Sequence, residues 1–390
     1  MSKRILVLSF YFKPDLCAGS FRCSALINEL SKKDVSIQVV TTTPNRYKTF
    51  NAKAISHQDR PNVSVERINV PSHNSGILDQ IKSFYFYYRE ATKITKNSEY
   101  DLIVATSSRL FTAFLGARIS RKKKIPLYLD IRDLFVDTVP NVLSSITTLI
   151  IKPFLKIIES YTFSSAEKIN LVSEGFLPYF KKDYPQISLS FFTNGIDEEF
   201  IEVSDTKFNS KENNFPINIL YAGNVGEGQG LHKIIPQMAL LLKDKVHFKI
   251  IGGGGLIQKL NFYIEKFNLD NVNVSNPVDR DILIDEYKRA DVLFLHLNDY
   301  DAFGKVLPSK LFEYAAMNKP ILAGVSGYSA DFIKSEIDDC EVFLPANSED
   351  AIDKLNKLDL SIKRRSKFIE KFDRKKIMSM MARDIYDLSL

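Results

Sequence analysis

The chain is poor in several kinds of chemistry. Only three of its 390 residues are cysteine, Cys17, Cys23 and Cys340. An odd number without metal-type spacing argues against a disulfide framework or a cysteine zinc site, and fits a reducing compartment. The five histidines are scattered without an HxxxH pattern, so they give no sign of a histidine zinc centre either. No GxGxxG follows the first apolar strand, so the glycine fingerprint of nicotinamide and flavin enzymes is missing. The longest apolar tract, Val142 to Ile158, is broken by Ser144, Ser145, Lys152, Pro153 and Lys156 and does not span a bilayer. Met1-Ser-Lys-Arg runs straight into a strand and not into a secretory signal. The expected location is cytoplasmic, at most peripheral on the inner face of the cytoplasmic membrane. Lysine and arginine number 53 against 47 acids, a surplus too mild to imply nucleic acid. It suits an anionic small molecule or an acidic membrane surface.

What is present is the material of a soluble α/β protein, with 45% hydrophobic and 26% charged residues. The length suits two domains. Arg4 to Phe10 reads as a doubly buried parallel strand, and a helix from about Ser20 leads to a second strand at Ile37 to Thr41. Gly19 stands where loop meets helix, with Arg22 close behind. It reads either as a backbone approach to a phosphate or sugar, or as an ordinary turn glycine. Ile77 to Lys96 is a helix with an aromatic face and basic flanks, either core-packed or resting on anionic lipid. The basic run Arg121 to Lys124 falls at the start of a strand, away from the ligand end of a parallel sheet. It reads as a solvated or membrane-facing edge. At the end of the strand Ile125 to Leu129 stand Asp130, Arg132 and Asp133, a candidate site or a structural ion-pair cluster.

Glu202 to Pro216 is polar and without apolar period, and reads as the linker between domains. A second α/β series follows, with glycine loops at Ala222 to Gly230 and Gly252 to Gly255. Either loop fits a phosphate cradle or a tight turn. Asp299 to Leu307 is a loop containing Gly304, and Pro308 and Ser309 open a helix that runs to about Met317. Asn318 and Pro320 end it. Lys310 and Glu313, three apart, share a face of that helix. A cation for a diphosphate and a carboxylate for ribose hydroxyls would line one ligand; a surface ion pair is the alternative. The last segment, Ile362 to Leu390, reads as one basic amphipathic helix.

Taken in order, these stretches resemble glycosyltransferase family 4, the retaining sugar transferases of the GT-B fold. Tyr11-Phe12-x-Pro14 with Gly19 is similar to the family's first glycine loop, and Asn194-Gly195-Ile196-Asp197 to its NG(V/I)D signature. Tyr221 to Asn224 and Gly252 to Gly255 resemble the donor-domain loops, with Gly223, Gly253 and Gly254 as the close-approach glycines. Phe303-Gly304 through Glu313-Ala315 resembles the donor-binding E-x7-E region, and Phe372-Asp373-Arg374 the start of the final helix. Lys305 stands where the first glutamate of E-x7-E belongs. Asn224 and Gln229 stand near the places of the family's diphosphate-binding Arg and Lys. This variant resembles the branch of fucosaminyl-type aminosugar transferases that build O-antigen, capsule and exopolysaccharide.

The resemblance implies two facing Rossmann-like domains with a cleft between them. Residues 1–200 would form an acceptor domain onto which the helix 372–390 packs back, and 201–371 a nucleotide-sugar donor domain. It implies transfer from a nucleotide sugar, UDP-linked, to a polyprenyl-diphosphate-linked saccharide at a peripheral membrane surface, with retention, no metal and no other cofactor. Glu313 would accept the ribose hydroxyls. Lys310, Ser309 and Gly304 would hold the diphosphate, with Lys305 adding charge. Phe303, Asn224, Gly19 and Arg22 would complete the donor wall, and Val278 would edge the base. Asp133 and Asp130 would face the reacting sugar and Arg132 the acceptor. Two alternatives share the fold: a non-hydrolysing sugar-nucleotide 2-epimerase, and an inactive donor-binding subunit.

Overall fold

A computed structural model of the chain describes residues 2–45, 54–71, 77–107, 110–142, 145–204 and 216–390. It divides into two compact units, Met1–Asn194 with Arg374–Leu390, and Gly195–Asp373.

The first unit is built on strands β1 (Lys3–Leu8), β2 (Val35–Thr42), β3 (His57–Arg60), β4 (Val63–Ile68), β5 (Leu102–Thr106), β6 (Leu127–Ile131), β7 (Lys168–Leu171) and β8 (Ser188–Ser190). Their order is β3-β4-β2-β1-β5-β6-β7-β8, parallel except for the antiparallel β3–β4 pair. Ile5 to Leu8 are fully buried, as a strand covered on both faces by helices requires. The covering helices are α1 (Ala18–Leu30), α2 (Ile77–Thr95), α3 (Leu110–Lys123), α4 (Phe135–Val142), α5 (Ser145–Phe163) and α6 (Leu177–Asp183). α2 is core-packed along one face. Tyr87 is fully buried and donates to the Val40 carbonyl at 2.8 Å, while Ile81 and Tyr85 are exposed.

The second unit has helix α7 (Glu198–Ser204) and then strands β9 (Ile217–Asn224), β10 (Val246–Gly253), β11 (Val272–Ser275), β12 (Val292–His296), β13 (Ile321–Gly324) and β14 (Cys340–Phe343). Their order β11-β10-β9-β12-β13-β14 is wholly parallel and reverses direction between β9 and β12. In open parallel sheets that reversal point, at the strands' carboxyl ends, is where ligands bind. The helices are α8 (Leu231–Leu242), α9 (Ile257–Lys266), α10 (Arg280–Arg289), α11 (Lys310–Ala316), α12 (Gly327–Glu336), α13 (Ser348–Lys357) and α14 (Ser366–Lys371). α11 stops as its sequence demands. Asn318 takes a left-handed φ of 58°, and its side-chain oxygen accepts the Arg365 N–H at 3.0 Å. The Arg365 guanidinium then donates to the carbonyls of Ala315 and Lys319, satisfying the helix end.

Two expectations about the connections are corrected. The chain leaves the first unit at Asn194–Gly195, not within Glu202 to Pro216. Glu202 to Ser204 close α7, Pro216 directly precedes β9, and residues 205–215 lie outside the described residues. A polar stretch reports contact with water, whereas this crossing is buried: Ile196 donates to the Phe372 carbonyl at 2.8 Å, fully enclosed. The C-terminal segment is two helices, not one. α14 ends at Lys371, Phe372 turns into a ring cluster with Phe312, Phe332 and Phe368, and α15 (Arg374–Ser389) begins anew. α15 belongs to the first unit, where Asp384 accepts from Tyr128 at 3.1 Å and pairs with Lys168.

Candidate functional site

At the end of β9 the backbone is shaped to leave room. Gly223 has φ +145°, a conformation side chains rarely adopt, and a Cβ there would lie 2.3 Å from the Lys310 ammonium. Lys310 reaches from α11 to the exit of β9, its Nζ 5.6 Å from the centre of the Tyr221 ring. Burial draws its pKa below the ordinary lysine value, opposed by the nearby Glu313 carboxylate. The Tyr221 hydroxyl donates to the Asn224 carbonyl at 2.6 Å, and the Asn224 amide to Gln229 Oε1 at 2.7 Å. Asn224 and Gln229, standing where cations would be expected by resemblance, are thus bonded to each other.

The glycines at the end of β10 have a packing reason. A Cβ on Gly252 would fall 1.8 Å from the Gly223 carbonyl, and one on Gly254 (φ +152°) 2.5 Å from the Val225 carbonyl. Gly253 O accepts the Val225 N–H at 2.9 Å. The two exit loops lie backbone on backbone, and side chains would push them apart.

Glu313 lies one turn beyond Lys310 on α11. Its Oε2 is 3.4 Å from the Tyr287 hydroxyl and its Oε1 3.8 Å from Arg280 Nη2. Arg280 opens α10, pairs closely with Asp197, and stacks over the Phe200 ring at 4.9 Å. Burial works against its charge, but Glu313 and Asp197 outweigh that and raise its pKa above the ordinary arginine value. Val278, half-buried, precedes Arg280 by two residues. The sequence offers no local signal for Arg280, because its partners lie 83 residues before and 33 after it in the chain.

The segment before α11 is a 3-10 turn, Asp301–Lys305, and not an open loop. Phe303 covers Gly228, where a Cβ would sit 3.0 Å from its ring. Gly304 O would be 2.3 Å from a Cβ on Gly327. Ser309 precedes α11 without a side-chain cap, and Lys305, half-buried, closes the turn. The Tyr300 hydroxyl donates to Glu227 at 2.6 Å and Lys233 donates to Asn298 at 2.9 Å, fastening the residues that lead into this turn to the β9–α8 loop and the first turn of α8. Behind it His296 is fully buried, in a cluster of three rings with Phe294 and Phe343. Its Nε2 accepts the Ala346 N–H at 2.9 Å, so Nδ1 carries the hydrogen and donates to Gln229 O at 2.6 Å. Burial pushes its pKa down to about 4.

In the first unit two of the expected site residues are found in a buried ion pair. Arg22 and Asp130 form a bidentate ion pair at 2.8 and 2.9 Å, each about 1% exposed. Arg22 also donates to the carbonyls of Phe192 and Thr193, and Asn170 donates to Asp130 at 2.7 Å. Burial disfavours the Asp130 charge, yet Arg22 holds its pKa below the ordinary carboxylate value. Their hydrogen-bonding capacity is committed to the framework, and a ligand would have to break a buried pair to use either. Gly19 lies buried in the first turn of α1. Arg132 is half-buried with its Nε unpartnered, and Asp133 beside it is exposed.

One surface of this unit stands apart. On α5, Ile146, Leu149, Ile150, Phe154 and Ile157 are between 62% and 78% exposed, along one helical face. Exposed Lys152 lies among them, and Arg121, in the basic last turn of α3, stacks on Tyr161 at 4.2 Å near the end of α5. Among the described residues no helix is long and apolar enough to cross a membrane.

Residues 203–375 match the family model described as glycosyl transferases group 1, a match that nearly coincides with the second unit. No curated protein matches the chain. Solved structures match over nearly its whole length. The sucrose-phosphate synthase of Thermosynechococcus elongatus superposes with a TM-score of 0.76 at 12% identity, over 99% of both chains. Anabaena Alr3699/HepE in complex with UDP-glucose gives 0.68 at 15% identity, over 99% of this chain and 100% of that one. WaaG, a glycosyltransferase involved in lipopolysaccharide biosynthesis, gives 0.65 at 16%, over 99% and 97%. The chain therefore has the two-unit α/β fold of GT-B glycosyltransferases, and its second unit carries the group 1 domain.

Proposed function

We propose that the protein is a retaining glycosyltransferase that moves a sugar, of the N-acetylated aminosugar type, from a UDP-linked donor to a lipid-linked saccharide in O-antigen, capsule or exopolysaccharide synthesis. The observation that carries this is the placement of the Lys310 ammonium against Gly223 at the sheet's reversal point, with Glu313 one turn further along α11. An ammonium at a bare backbone fits a diphosphate, and a half-enclosed carboxylate fits the ribose hydroxyls. The group 1 match over 203–375 supports the same reading, and the UDP-glucose bound to HepE supports a UDP-linked donor.

A nucleotide sugar already carries its leaving group, so what remains for the protein is to stabilise charge on the departing diphosphate and to orient the acceptor. Lys310 and Lys305 supply that charge. Transfer proceeds on the face the diphosphate leaves, with a diphosphate oxygen taking the acceptor proton, and needs no metal. The first unit receives the acceptor, with Arg132 and Asp133 as its candidate polar contacts and Gly19 as a close-approach position. The apolar face of α5 and its basic neighbours suit a peripheral membrane surface, where a polyprenyl-diphosphate acceptor would be found.

A thermal-shift series with UDP-, GDP-, ADP- and dTDP-sugars tests the donor reading, since a bound ligand raises apparent stability. A UDP-sugar is expected to raise the melting temperature most, and transfer to require an acceptor. Failure of every nucleotide sugar to shift the melt would sink the proposal; conversion of the donor without acceptor would identify a 2-epimerase instead.

A further inference from the structure

We infer that Arg280 is a positioning residue for the nucleotide site, anchored by Asp197 and holding the Glu313 carboxylate in the orientation that receives a vicinal diol. This rests on the reading of Glu313 as the ribose-binding carboxylate. Arg280 and Tyr287 stand seven residues apart on α10 and so share a face, and each addresses a different oxygen of Glu313, at 3.8 and 3.4 Å. Two long contacts orient a carboxylate without saturating it. An ionised carboxylate has about four acceptor positions, so both oxygens keep capacity for two neighbouring hydroxyls.

Arg280 can do this because it is itself fixed. Asp197 takes its close ion pair, Phe200 lies under its guanidinium at 4.9 Å, and its side chain is only 15% exposed. Asp197 is the last residue of the Asn194-Gly195-Ile196-Asp197 signature, across which the chain passes into the second unit. The acidic end of that motif thereby holds the arginine that holds Glu313. A simple packing ion pair would be complete with Arg280 and Asp197 alone, whereas here the guanidinium faces a second carboxylate on the helix that also carries Lys310.

The test compares binding of UDP with binding of 2′,3′-dideoxy-UDP by calorimetry, in the native protein, Arg280→Met and Asp197→Asn, with inorganic pyrophosphate as a probe of the diphosphate site. The native protein is expected to prefer UDP by about tenfold or more, the worth of hydrogen bonds to a charged group. In Arg280→Met that preference should collapse toward one while pyrophosphate affinity stays unchanged. If Arg280→Met does not fold, Asp197→Asn carries the test, with an expected fall of several-fold in the preference. A native protein that prefers UDP, with a variant that keeps the full preference, overturns the positioning role alone. A native protein that binds neither nucleotide, or both equally, overturns the ribose reading and the positioning role together.

Discussion

Lys310 and Gly223 act as a pair, since the absence of a side chain on one leaves the space that the ammonium of the other fills. Methionine at 310 would keep an unbranched side chain of similar length and remove the charge. Lys310→Met is therefore expected to weaken UDP binding by about 10- to 100-fold, the range for a charge-assisted hydrogen bond, and to leave binding of uridine unchanged. Equal losses for both ligands in a titration would show that Lys310 supports the fold and not the diphosphate. Glu313→Ala carries the complementary prediction, a loss of about 1–3 kcal/mol in UDP binding together with lower turnover. Unchanged affinity and turnover would remove the ribose role. The helical spacing of Lys310 and Glu313 makes this pair legible in the sequence. Arg280 is not legible, because an arginine that meets its partners only through strand order leaves no periodic trace.

Among the elements, the exits of β9, β10 and β12 are fastened to one another, and His296 is the fastening that titrates. Its folded pKa of about 4 lies below the ordinary value of 6.5, so the unfolded chain takes up the proton first as pH falls. Stability from this residue is complete above pH ~6.5 and declines as the pH falls toward ~4, by at most roughly 3 kcal/mol. Denaturant titrations between pH 7 and 5 should show a loss that shrinks in His296→Asn; an identical slope in both would place the titrating group elsewhere. The exposed face of α5 makes a different prediction. Vesicles containing anionic lipid should carry the native protein upward in flotation, and Ile150→Glu with Phe154→Glu should leave it behind. Native protein that stays at the bottom would rule out the membrane-facing role. Strands and glycine loops are legible because apolar runs and glycines are local features. Asp130 reads in the sequence either as a ligand group or as half of an ion pair, because charge at a strand's ligand end looks the same before its partner is known. The break at Phe372 leaves no mark in the apolar periodicity, which continues across it, and shows only in the resemblance of Phe372-Asp373-Arg374 to a helix start; the aromatic cluster that turns the chain is assembled from distant residues.

The chain passes between its two units twice, at Asn194–Gly195 and at Asp373–Arg374, and the second passage returns α15 to the unit where the chain began. α15 buries Ile377, Met378, Met381, Ala382 and Ile385, and the Met381 sulfur lies 3.4 Å from Arg22 Nη2, against the buried clamp. At about 1.5–3 kcal/mol for each large apolar side chain, its removal would cost on the order of 10 kcal/mol. A domain is stable by only about 5–15 kcal/mol, so the first unit should not survive the loss. The second unit contains its own sheet, core and both Lys310 and Glu313, and owes nothing of its sheet to α15. A chain ending at Asp373 is therefore expected to lose one of two calorimetric transitions, and to keep the other together with its upward shift in UDP. Two transitions persisting in that shortened chain would mean that the apolar face of α15 is dispensable to the first unit. Loss of both transitions, and of the UDP response with them, would mean that the two units do not fold independently.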